Sequence, residues 1–338
     1  MGIETRKMEH VDIALKRKIE SREKSAGFEA VNFVHYSLPE IDFSRIDTSQ
    51  TFLKRKFKLP FMIVSMTGGF LEAEKINKEL AVACENEGLI LGLGSQRAML
   101  EKKDLKKTFN VRDVAPNVFL CGNIGAVQLQ NYSIKQIESL VSDIDANALC
   151  IHLNPLQEAV QLEGDKNWVG ASKNIGKICD QLSVPVIVKE TGAGINGEVA
   201  LELESLGVSA IDVSGVGGTS WSAIELFRKG AKAGEQFWDW GNSTVDCLEE
   251  CSNSIKIPLI ASGGVRSGLD VAKSIRLGAT IGGAGLPFIK AQNSGGVKGI
   301  ALEIQKWKEE LQIAMFLTRS KNLTDLKSAK LKSDCCCD

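Results

Sequence analysis

The chain has 338 residues, of which 43% are hydrophobic, and its formal net charge of −1 gives no general attraction to nucleic acid or to an anionic membrane. No run approaches the roughly 20 apolar residues of a membrane span, and the charged first residues lack the apolar core of a signal peptide, so we expect a cytoplasmic protein that binds neither nucleic acid nor membrane. Its length fits one large α/β barrel with extra segments or two ordinary domains.

Residues 1–58 are charged and only weakly patterned, with one possible helix over 8–23. Beyond them, short apolar runs predict strands at 61–65, 90–93, 118–122, 148–152, 186–189, 210–213, 259–261 and 280–282. The stretches between place apolar residues three and four apart, which predicts helices at 73–87, 134–142, 172–182, 197–206 and 269–277. A last helix is expected near 297–318, and the segment 215–257 is long enough to carry a lid.

The alternation of strand and helix predicts a parallel sheet flanked by helices, and eight units favour a closed barrel. The alternative, an open doubly wound sheet, would place Gly-x-Gly-x-x-Gly after its first strand, where this chain has Ser65-Met-Thr-Gly-Gly69. We therefore predict an α/β fold, a (β/α)8 TIM barrel with an N-terminal extension and a C-terminal helix. It would form a single domain over residues 1–320, with 1–58 as the extension. We expect 321–338, which contains Cys335-Cys-Cys337, to be a disordered tail.

Glycine-rich turns follow the last three predicted strands. Their sequences are Ile211-Asp-Val-Ser-Gly-Val-Gly-Gly-Thr219, Leu259-Ile-Ala-Ser-Gly-Gly-Val-Arg266 and Ala279-Thr-Ile-Gly-Gly-Ala-Gly285. A strand that ends in glycines lets backbone N–H groups close on a phosphate, and the positive end of the next helix adds to the attraction. Two such turns at the seventh and eighth strands are what a (β/α)8 barrel uses to hold a phosphorylated ligand.

Polar residues also follow the earlier strands. In chain order they are Ser65-Met-Thr67, Ser95-Gln-Arg97, Asn123, His152-Leu-Asn-Pro-Leu-Gln-Glu158 and Lys189. Because the carboxyl ends of parallel strands meet at one rim of a barrel, we expect these groups to converge there.

For several of these groups the local sequence leaves two interpretations open. Lys189 ends an apolar run and points either into the barrel mouth, which the run favours, or outward to solvent. Glu158 follows a proline and is either a Mg²⁺ ligand beside a diphosphate or a carboxylate favoured at a helix start. The pair Arg6-Lys7 and the nearby His10 would, from local sequence alone, be a frayed basic end.

Two further pairs have the spacing of a shared face. His152 and Asn154 are two residues apart, so they lie on one side if the strand continues. Trp221 and Glu225 are four residues apart in the predicted lid, where the simpler interpretation is that they pack against each other on a helix.

Together these motifs resemble the type 2, FMN-dependent isopentenyl-diphosphate Δ-isomerases. The resemblance covers nearly the whole chain up to about residue 320, and its most specific parts are the N-terminal and His-x-Asn-x-x-Gln-Glu elements. The matching motifs are Arg6-Lys-Met-Glu-His10, Ser65-Met-Thr-Gly-Gly69, Leu91-Gly-Leu-Gly-Ser-Gln-Arg97, Asn123-Ile-Gly125, His152-Leu-Asn-Pro-Leu-Gln-Glu158, Val188-Lys-Glu190, Gly215-Val-Gly-Gly-Thr-Ser-Trp221 and Ser262-Gly-Gly-Val-Arg266.

The resemblance implies interconversion of isopentenyl and dimethylallyl diphosphate in isoprenoid biosynthesis, with reduced FMN, Mg²⁺ and a homo-oligomer of four or eight subunits. NADPH or NADH would serve only to reduce the flavin. The residues implied to bind substrate are Arg6, Lys7, His10, Ser95, Gln96, Arg97, His152, Asn154 and Gln157. Those implied to bind FMN are Ser65, Met66, Thr67, Ser95, Asn123, Lys189, Ser214, Thr219, Gly264, Val265, Arg266, Ala284 and Gly285. The implied catalytic residues are Gln157, His152 and Lys189, and the implied metal ligand is Glu158.

Two other classes of barrel enzyme fit the residues less well. A 2-hydroxy-acid oxidase needs a base late in the barrel, but the histidines are His10, His35 and His152, and none follows the fifth strand. A purine-nucleotide dehydrogenase needs a nucleophilic cysteine in the loop after the sixth strand, and residues 214–221 contain none. A non-catalytic phosphate-binding scaffold would not need polar groups at so many strand ends.

Overall fold

The computed structural model describes residues 2–229 and 231–332. An antiparallel hairpin forms from β1 (Gln50–Phe52) and β2 (Arg55–Phe57). The other strands of the described ranges are β3 (Phe61–Ile63), β4 (Ile90–Gly92), β5 (Phe119–Gly125), β6 (Ala148–His152), β7 (Val186–Lys189), β8 (Ala210–Asp212), β9 (Leu259–Ala261) and β10 (Ile281–Ala284).

Strands β3 to β10 form one closed parallel barrel, in which β10 pairs with both β9 and β3. Almost every residue in these strands is buried, which explains why the sequence shows continuous apolar runs instead of the alternation of a half-exposed sheet. The predicted (β/α)8 barrel is therefore confirmed. The largest shift in a strand boundary is in β5, which continues to Gly125 instead of ending at residue 122.

Helices alternate with the barrel strands, as predicted. Their bounds are α1 (Ile3–Lys16), α2 (Ala73–Glu87), α3 (Arg97–Glu101), α4 (Ile134–Ser142), α5 (Pro155–Val160), α6 (Ala171–Gln181), α7 (Gly197–Ser205), α8 (Trp221–Lys229), α9 (Ala233–Gln236), α10 (Thr244–Ser254), α11 (Gly268–Arg276), α12 (Leu286–Leu317) and α13 (Leu323–Lys327). None of these helices is both long and apolar enough to cross a membrane. The segment predicted to carry a lid contains α8, α9 and the barrel helix α10.

The first helix differs from its prediction: α1 covers residues 3–16, and the predicted range was 8–23. The chain leaves the helix at Arg17 because the next residues pair with the loop after β8. Glu20 forms an antiparallel bridge with Thr219, and the Ser220 N–H donates to Ile19 O at 2.8 Å. This pairing joins segments some 200 residues apart along the chain, so no local pattern could have indicated it.

The C-terminal segment also differs from its prediction where it is described. Residues 321–332, expected to be disordered, include α13, in which Leu326 is fully buried, and Leu331 bridges to Phe33. Packing of α13 on α11 and backbone pairing with the N-terminal extension order the segment. Cys335-Cys-Cys337 lie outside the described residues.

One end of the barrel is closed by the hairpin. Phe52 and Phe57 belong to the same buried cluster as the inward-facing residues of the barrel, and Phe57 meets Phe119, the first residue of β5, edge to face at 5.5 Å. The hairpin therefore covers the amino ends of the strands, and the barrel opens at their carboxyl ends, where functional groups of such barrels lie.

Candidate active site

A cavity of about 250 Å³ lies at the carboxyl ends of the barrel strands. Strand ends form its floor, and residues of α1 and α8 form part of its wall. The predicted site residues that line it are Arg6, Lys7, His10, Ser65, Met66, Thr67, Ser95, Arg97, Asn123, His152, Asn154, Gln157, Glu158, Lys189, Ser214, Thr219, Gly264, Arg266, Ala284 and Gly285. The fold thus brings together groups that the sequence distributes over nearly 280 residues.

Two predicted site residues lie away from this cavity. Gln96 is fully buried beneath the rim, where its Nε2 donates to Leu140 O at 2.8 Å and its Oε1 accepts from the Asn123 N–H at 2.8 Å. Val265 is fully buried in the core between its glycine turn and α11. Their neighbours Ser95 and Gly264 line the cavity, whereas Gln96 and Val265 lie in the protein interior.

The structure also adds lining residues that sequence reasoning missed. Gln128 follows β5 by three residues, and Gln161 comes four residues after Gln157, at the end of the same helix. The spacing of Gln157 and Gln161 was a usable signal because such residues share a helix face. Ser262 and Thr191 also line the cavity, each in a loop directly after its strand.

Lys189 points into the barrel mouth and is only 6% exposed, so the solvent-facing alternative is excluded. Its Nζ donates to the carbonyl oxygen of Glu190 and lies 3.9 Å from Asp212 Oδ2. Asp212 in turn accepts a hydrogen bond from Ser262 at 2.6 Å. Burial in the low-dielectric wall raises the pKa of Asp212, although the positive charge of Lys189 acts to lower it.

His152 is held as a neutral ring. Its Nδ1 lies 2.8 Å from Asn123 Oδ1, and because an amide oxygen only accepts, Nδ1 carries the proton and Nε2 keeps its lone pair. Burial lowers the pKa of His152 to about 3, and the nearby charges of Lys189 and Lys7 contribute to the shift. His152 can therefore orient a ligand by hydrogen bonding, but it does not provide an imidazolium near neutral pH.

Glu158 is a buried carboxylate at the start of α5. Its Oε1 accepts from Asn154 Nδ2 at 3.1 Å, and its Oε2 accepts from the Asp165 N–H at 2.8 Å. The Asn154 Oδ1 is buried without a hydrogen-bond partner. Within the described ranges no three His, Cys, Asp or Glu side chains form a metal-binding group. A single carboxylate beside an uncommitted amide oxygen fits Mg²⁺, which takes one or two protein ligands and fills its shell with phosphate oxygens and water.

The N-terminal basic residues lie on α1 and line the cavity, so the interpretation as a frayed end is wrong. Lys7 Nζ donates to the backbone oxygen of Ser95, and Nζ lies 5.4 Å from the centre of the Phe109 ring. Burial, helped by the charge of Arg6, lowers the pKa of Lys7 to about 7 although Glu101 opposes the shift. A partly buried amine with a depressed pKa gains its charge back when an anion binds next to it.

Glu225 connects the two walls of the cavity. Its Oε1 lies 3.0 Å from His10 Nε2 and 3.3 Å from Gln157 Nε2. Burial acts to raise the pKa of Glu225, but hydrogen bonds from His10 and Arg228 outweigh it and leave the pKa below its ordinary value. Trp221 meets the His10 ring edge to face at 5.2 Å. Trp221 and Glu225 are therefore more than a local helix pair, because both contact α1.

The late glycine turns pack tightly beside the same cavity. A Cβ on Gly263, whose φ is +91°, would lie 2.1 Å from the backbone oxygen of Gly215, so neither turn leaves room for a side chain there. Across the floor, Ser65 Oγ and Thr67 Oγ1 are buried without a hydrogen-bond partner. Buried polar groups in native proteins are nearly always paired, so these hydroxyls fit a bound polar ligand. Together with the turns, they fit a flavin mononucleotide.

The sequence profile of the FMN-dependent dehydrogenase family matches residues 132–333, more than half of the chain. Among curated proteins, the chain is 47% identical to an isopentenyl-diphosphate delta-isomerase of Pyrococcus furiosus, covering 96% of this chain and 86% of that protein. It is 44% identical to the protein of the same name from Methanococcoides burtonii, covering 97% and 92% respectively.

Similar solved structures include a mandelate oxidase with an FMN adduct, at a TM-score of 0.68 and 15% identity over 95% of each chain. A flavocytochrome b2 with pyruvate bound has a TM-score of 0.71 at 17% identity, over 94% of this chain and 81% of that one. At such low identity these likenesses concern the fold alone. The identity to the curated isomerases is far higher and extends over nearly the full length. The chain therefore belongs to the isopentenyl-diphosphate delta-isomerase family, and it carries the domain of the FMN-dependent dehydrogenases.

Proposed function

We propose that this chain is an FMN-dependent isomerase that interconverts isopentenyl diphosphate and dimethylallyl diphosphate, using reduced FMN and Mg²⁺. One observation carries the proposal. A member of this family places a buried lysine, further half-buried cations, a lone carboxylate and unpartnered hydroxyls on a single cavity, which is what a flavin nucleotide and a diphosphate together require.

The flavin side of the cavity consists of the barrel floor and the glycine turns. Ser65 and Thr67 have hydroxyls free to hydrogen-bond a flavin ring, and Lys189 supplies a buried cation for an electron-rich one. The turn at 263–266 and the start of α12 supply backbone N–H groups for its phosphate. When bound, reduced FMN supplies acid–base chemistry and electrostatic stabilisation without being consumed, because moving a double bond involves no net redox change.

The diphosphate side lies beneath α1. Lys7, Arg6 and Arg97 are the cations that would bind the diphosphate, and Glu158 would hold the Mg²⁺. Arg97 already pairs with Glu101 at 2.8 Å, and a diphosphate would compete with that contact. When bound, Mg²⁺ supplies charge that neutralises the diphosphate oxygens.

The isoprenoid end needs an apolar wall and fixed polar groups. Trp221, Ile224 and Leu286 line this part of the cavity and would keep water away from a carbocation-like transition state. Gln157 is oriented from both sides, since its Oε1 accepts from Asn154 at 3.2 Å and its Nε2 donates to Glu225. Its amide would orient the alkene and stabilise developing charge.

The proposal is tested by an anaerobic assay with the purified holoprotein. FMN reduced with dithionite, Mg²⁺ and isopentenyl diphosphate should give dimethylallyl diphosphate, whereas oxidised enzyme and chelator-treated enzyme should not. The absence of turnover by the reduced, Mg²⁺-loaded holoenzyme would refute it. Oxygen consumption with a 2-hydroxy acid would instead favour the oxidase chemistry of its structural neighbours.

Further parts of the proposal come from the same reasoning. NADPH or NADH would act only as the reductant of FMN, so catalytic amounts should suffice in the assay. Residues 1–320 would act as one domain together with the ordered segment 321–332, and residues 1–58 would contribute to the substrate site. We also propose a cytoplasmic homo-oligomer of four or eight subunits, which light scattering on the purified protein would detect.

A further inference from the structure

Arg228, on α8, has a fully buried side chain although it carries a charge. Its Nε donates to Glu225 Oε2 at 2.7 Å. Its Nη2 lies 2.8 Å from Glu163 Oε1, and its Nη1 lies 4.0 Å from Glu9 Oε2. Only the contact with Glu225 is a hydrogen bond, since Nη1, Nη2 and Glu9 Oε2 are buried without a hydrogen-bond partner. The other two contacts are ion pairs, and the three carboxylates come from α8, from the loop after α5 and from α1. Arg228 therefore links three separate segments around the cavity mouth.

The contact with Arg228 fixes the carboxylate that faces the site. One oxygen of Glu225 is taken by Arg228, and the other, Oε1, faces His10 and Gln157. With the Gln161 amide oriented to satisfy its neighbours, Gln161 also donates to Oε1, at 3.0 Å. Because a carboxylate is planar, holding Oε2 also sets the direction of Oε1. The orientation of the groups at the site thus depends on a residue that does not line the cavity.

Helix α1 depends on the same contacts for its position. None of its residues is fully buried, so its attachment relies on half-buried apolar residues and on polar links to the barrel. Two of these links, Glu9 to Arg228 and His10 to Glu225, lead to α8. Since α1 also carries Arg6 and Lys7, the position of this helix determines where these two cations lie in the cavity.

We propose that Arg228 is a positioning residue, which holds the Glu225 carboxylate against His10 and Gln157 and ties α1 to α8 across the cavity. This inference deepens the proposed function and rests on it. Lysine would be a poor replacement because its point charge can meet one carboxylate well, whereas the planar guanidinium hydrogen-bonds Glu225 through Nε and places Nη2 2.8 Å from Glu163 in another direction.

The first test compares R228K and R228M with the wild type in the isomerase assay. A small displacement of orienting groups lowers turnover strongly, so kcat/KM should fall by roughly 10- to 100-fold in R228M and by less in R228K. FMN content should not change in either variant. The loss should appear mainly in kcat, because Gln157 and His10 face the reacting end.

The pH profile provides a readout that a purely structural role would not move. Removing the guanidinium leaves Glu225 buried without that partner, so its pKa rises and the acid limb of kcat/KM moves up by about one pH unit. Several other groups contribute to the environment of this carboxylate. They are His10, Gln157 and Gln161 directly, Arg6 through Gln161, and Glu9 and Glu163 through Arg228.

R112K is the matched control. Arg112 is another largely enclosed arginine, but it bonds Val118 O and Asn147 Oδ1 at the opposite, amino end of the barrel. Its substitution should lower the melting temperature without moving the pH profile. Hydrogen exchange of the α1 amides, measured on FMN-loaded protein without substrate, should quicken about ten-fold in R228M and not in R112K.

These outcomes separate the two proposals. If R228M loses stability as R112K does but keeps the wild-type pH profile and α1 exchange, the positioning role is overturned. If R228M does not fold, E9Q keeps the Glu225 contact and must still quicken α1 exchange, and unchanged exchange would overturn the tie between α1 and α8. If the wild type does not isomerise the substrate, the proposed function fails, but the exchange experiment still tests Arg228.

Discussion

In the proposed function, Lys7 would link the pH of the solution to the binding of a diphosphate. Burial and the charge of Arg6 lower the pKa of Lys7 to about 7. With a pKa near 7, the amine of the free protein would lose its charge over the range from pH 6 to pH 8. An anion seated against Lys7 favours the charged amine, so ligand binding above pH 7 should take up a proton.

The size and sign of the change in pyrophosphate affinity with pH follow from the protonation state of Lys7. The charged form is present below pH 7 and is lost as the pH rises through this value. If only that form binds, the affinity for inorganic pyrophosphate falls about ten-fold between pH 6 and pH 8 from Lys7 alone. K7R is the control, because a guanidinium keeps its charge throughout this range. The ionisation of pyrophosphate itself affects both proteins equally and cancels in the ratio of their affinities.

Isothermal titration calorimetry of the Mg²⁺- and FMN-loaded protein with pyrophosphate provides the measurement. Two buffers with different ionisation heats report the proton uptake, which should be present at pH 7.5 for the wild type and smaller for K7R. Parallel pH dependence of the two proteins between pH 6 and pH 8 would show that Lys7 does not titrate there, and the reasoning from its burial would be wrong.

Three further variants test other parts of the structure. G125A places a Cβ 1.8 Å from Gln128 Oε1 and 2.9 Å from His152 Nε2, so its turnover should fall about ten-fold or more. The control variant G176A, on α6, should have turnover near that of the wild type. Equal turnover by the two variants would contradict the close approach at Gly125. W307A removes a fully buried indole that packs on Phe61 and Phe288. Its free energy of unfolding, measured in urea, should be lower by about 3–5 kcal/mol. A loss below about 1 kcal/mol would mean that the surrounding side chains fill the space left by the indole. Q157A should lose most turnover while FMN stays bound, and unchanged turnover would remove Gln157 from the reaction.

The barrel could be predicted from the sequence because its strands are buried on both faces. Runs such as 186–189 do not alternate between apolar and polar residues, so they stand out as buried strands, and glycines mark where the late strands end. The convergence of Lys189, His152 and Glu158 followed from the rule that the carboxyl ends of parallel strands share one rim. The strand positions came from the local sequence pattern, and the convergence of the polar groups came from the parallel topology of the barrel.

What the sequence could not predict depends on contacts between distant segments. The end of α1 at Lys16 is set by pairing with residues 218–220, and the order of the segment after residue 320 comes in part from backbone pairing with the N-terminal extension. In the loop after β4, spacing could not decide that Ser95 faces the cavity while Gln96 faces the core. The contact between His10 and Glu225 joins residues 215 positions apart, and neither carries a local signal of the other.

The aromatic hairpin that fills the amino end of the barrel has a kinetic consequence. With Phe52 and Phe57 sealing that end, molecules enter and leave on the side that α1 covers. Because the cavity has one opening, a molecule bound deeper in it can leave only after a molecule bound nearer the rim has left. A group bound on the barrel floor would then remain through many rounds of exchange at the mouth, and its residence time would depend on how often α1 moves aside.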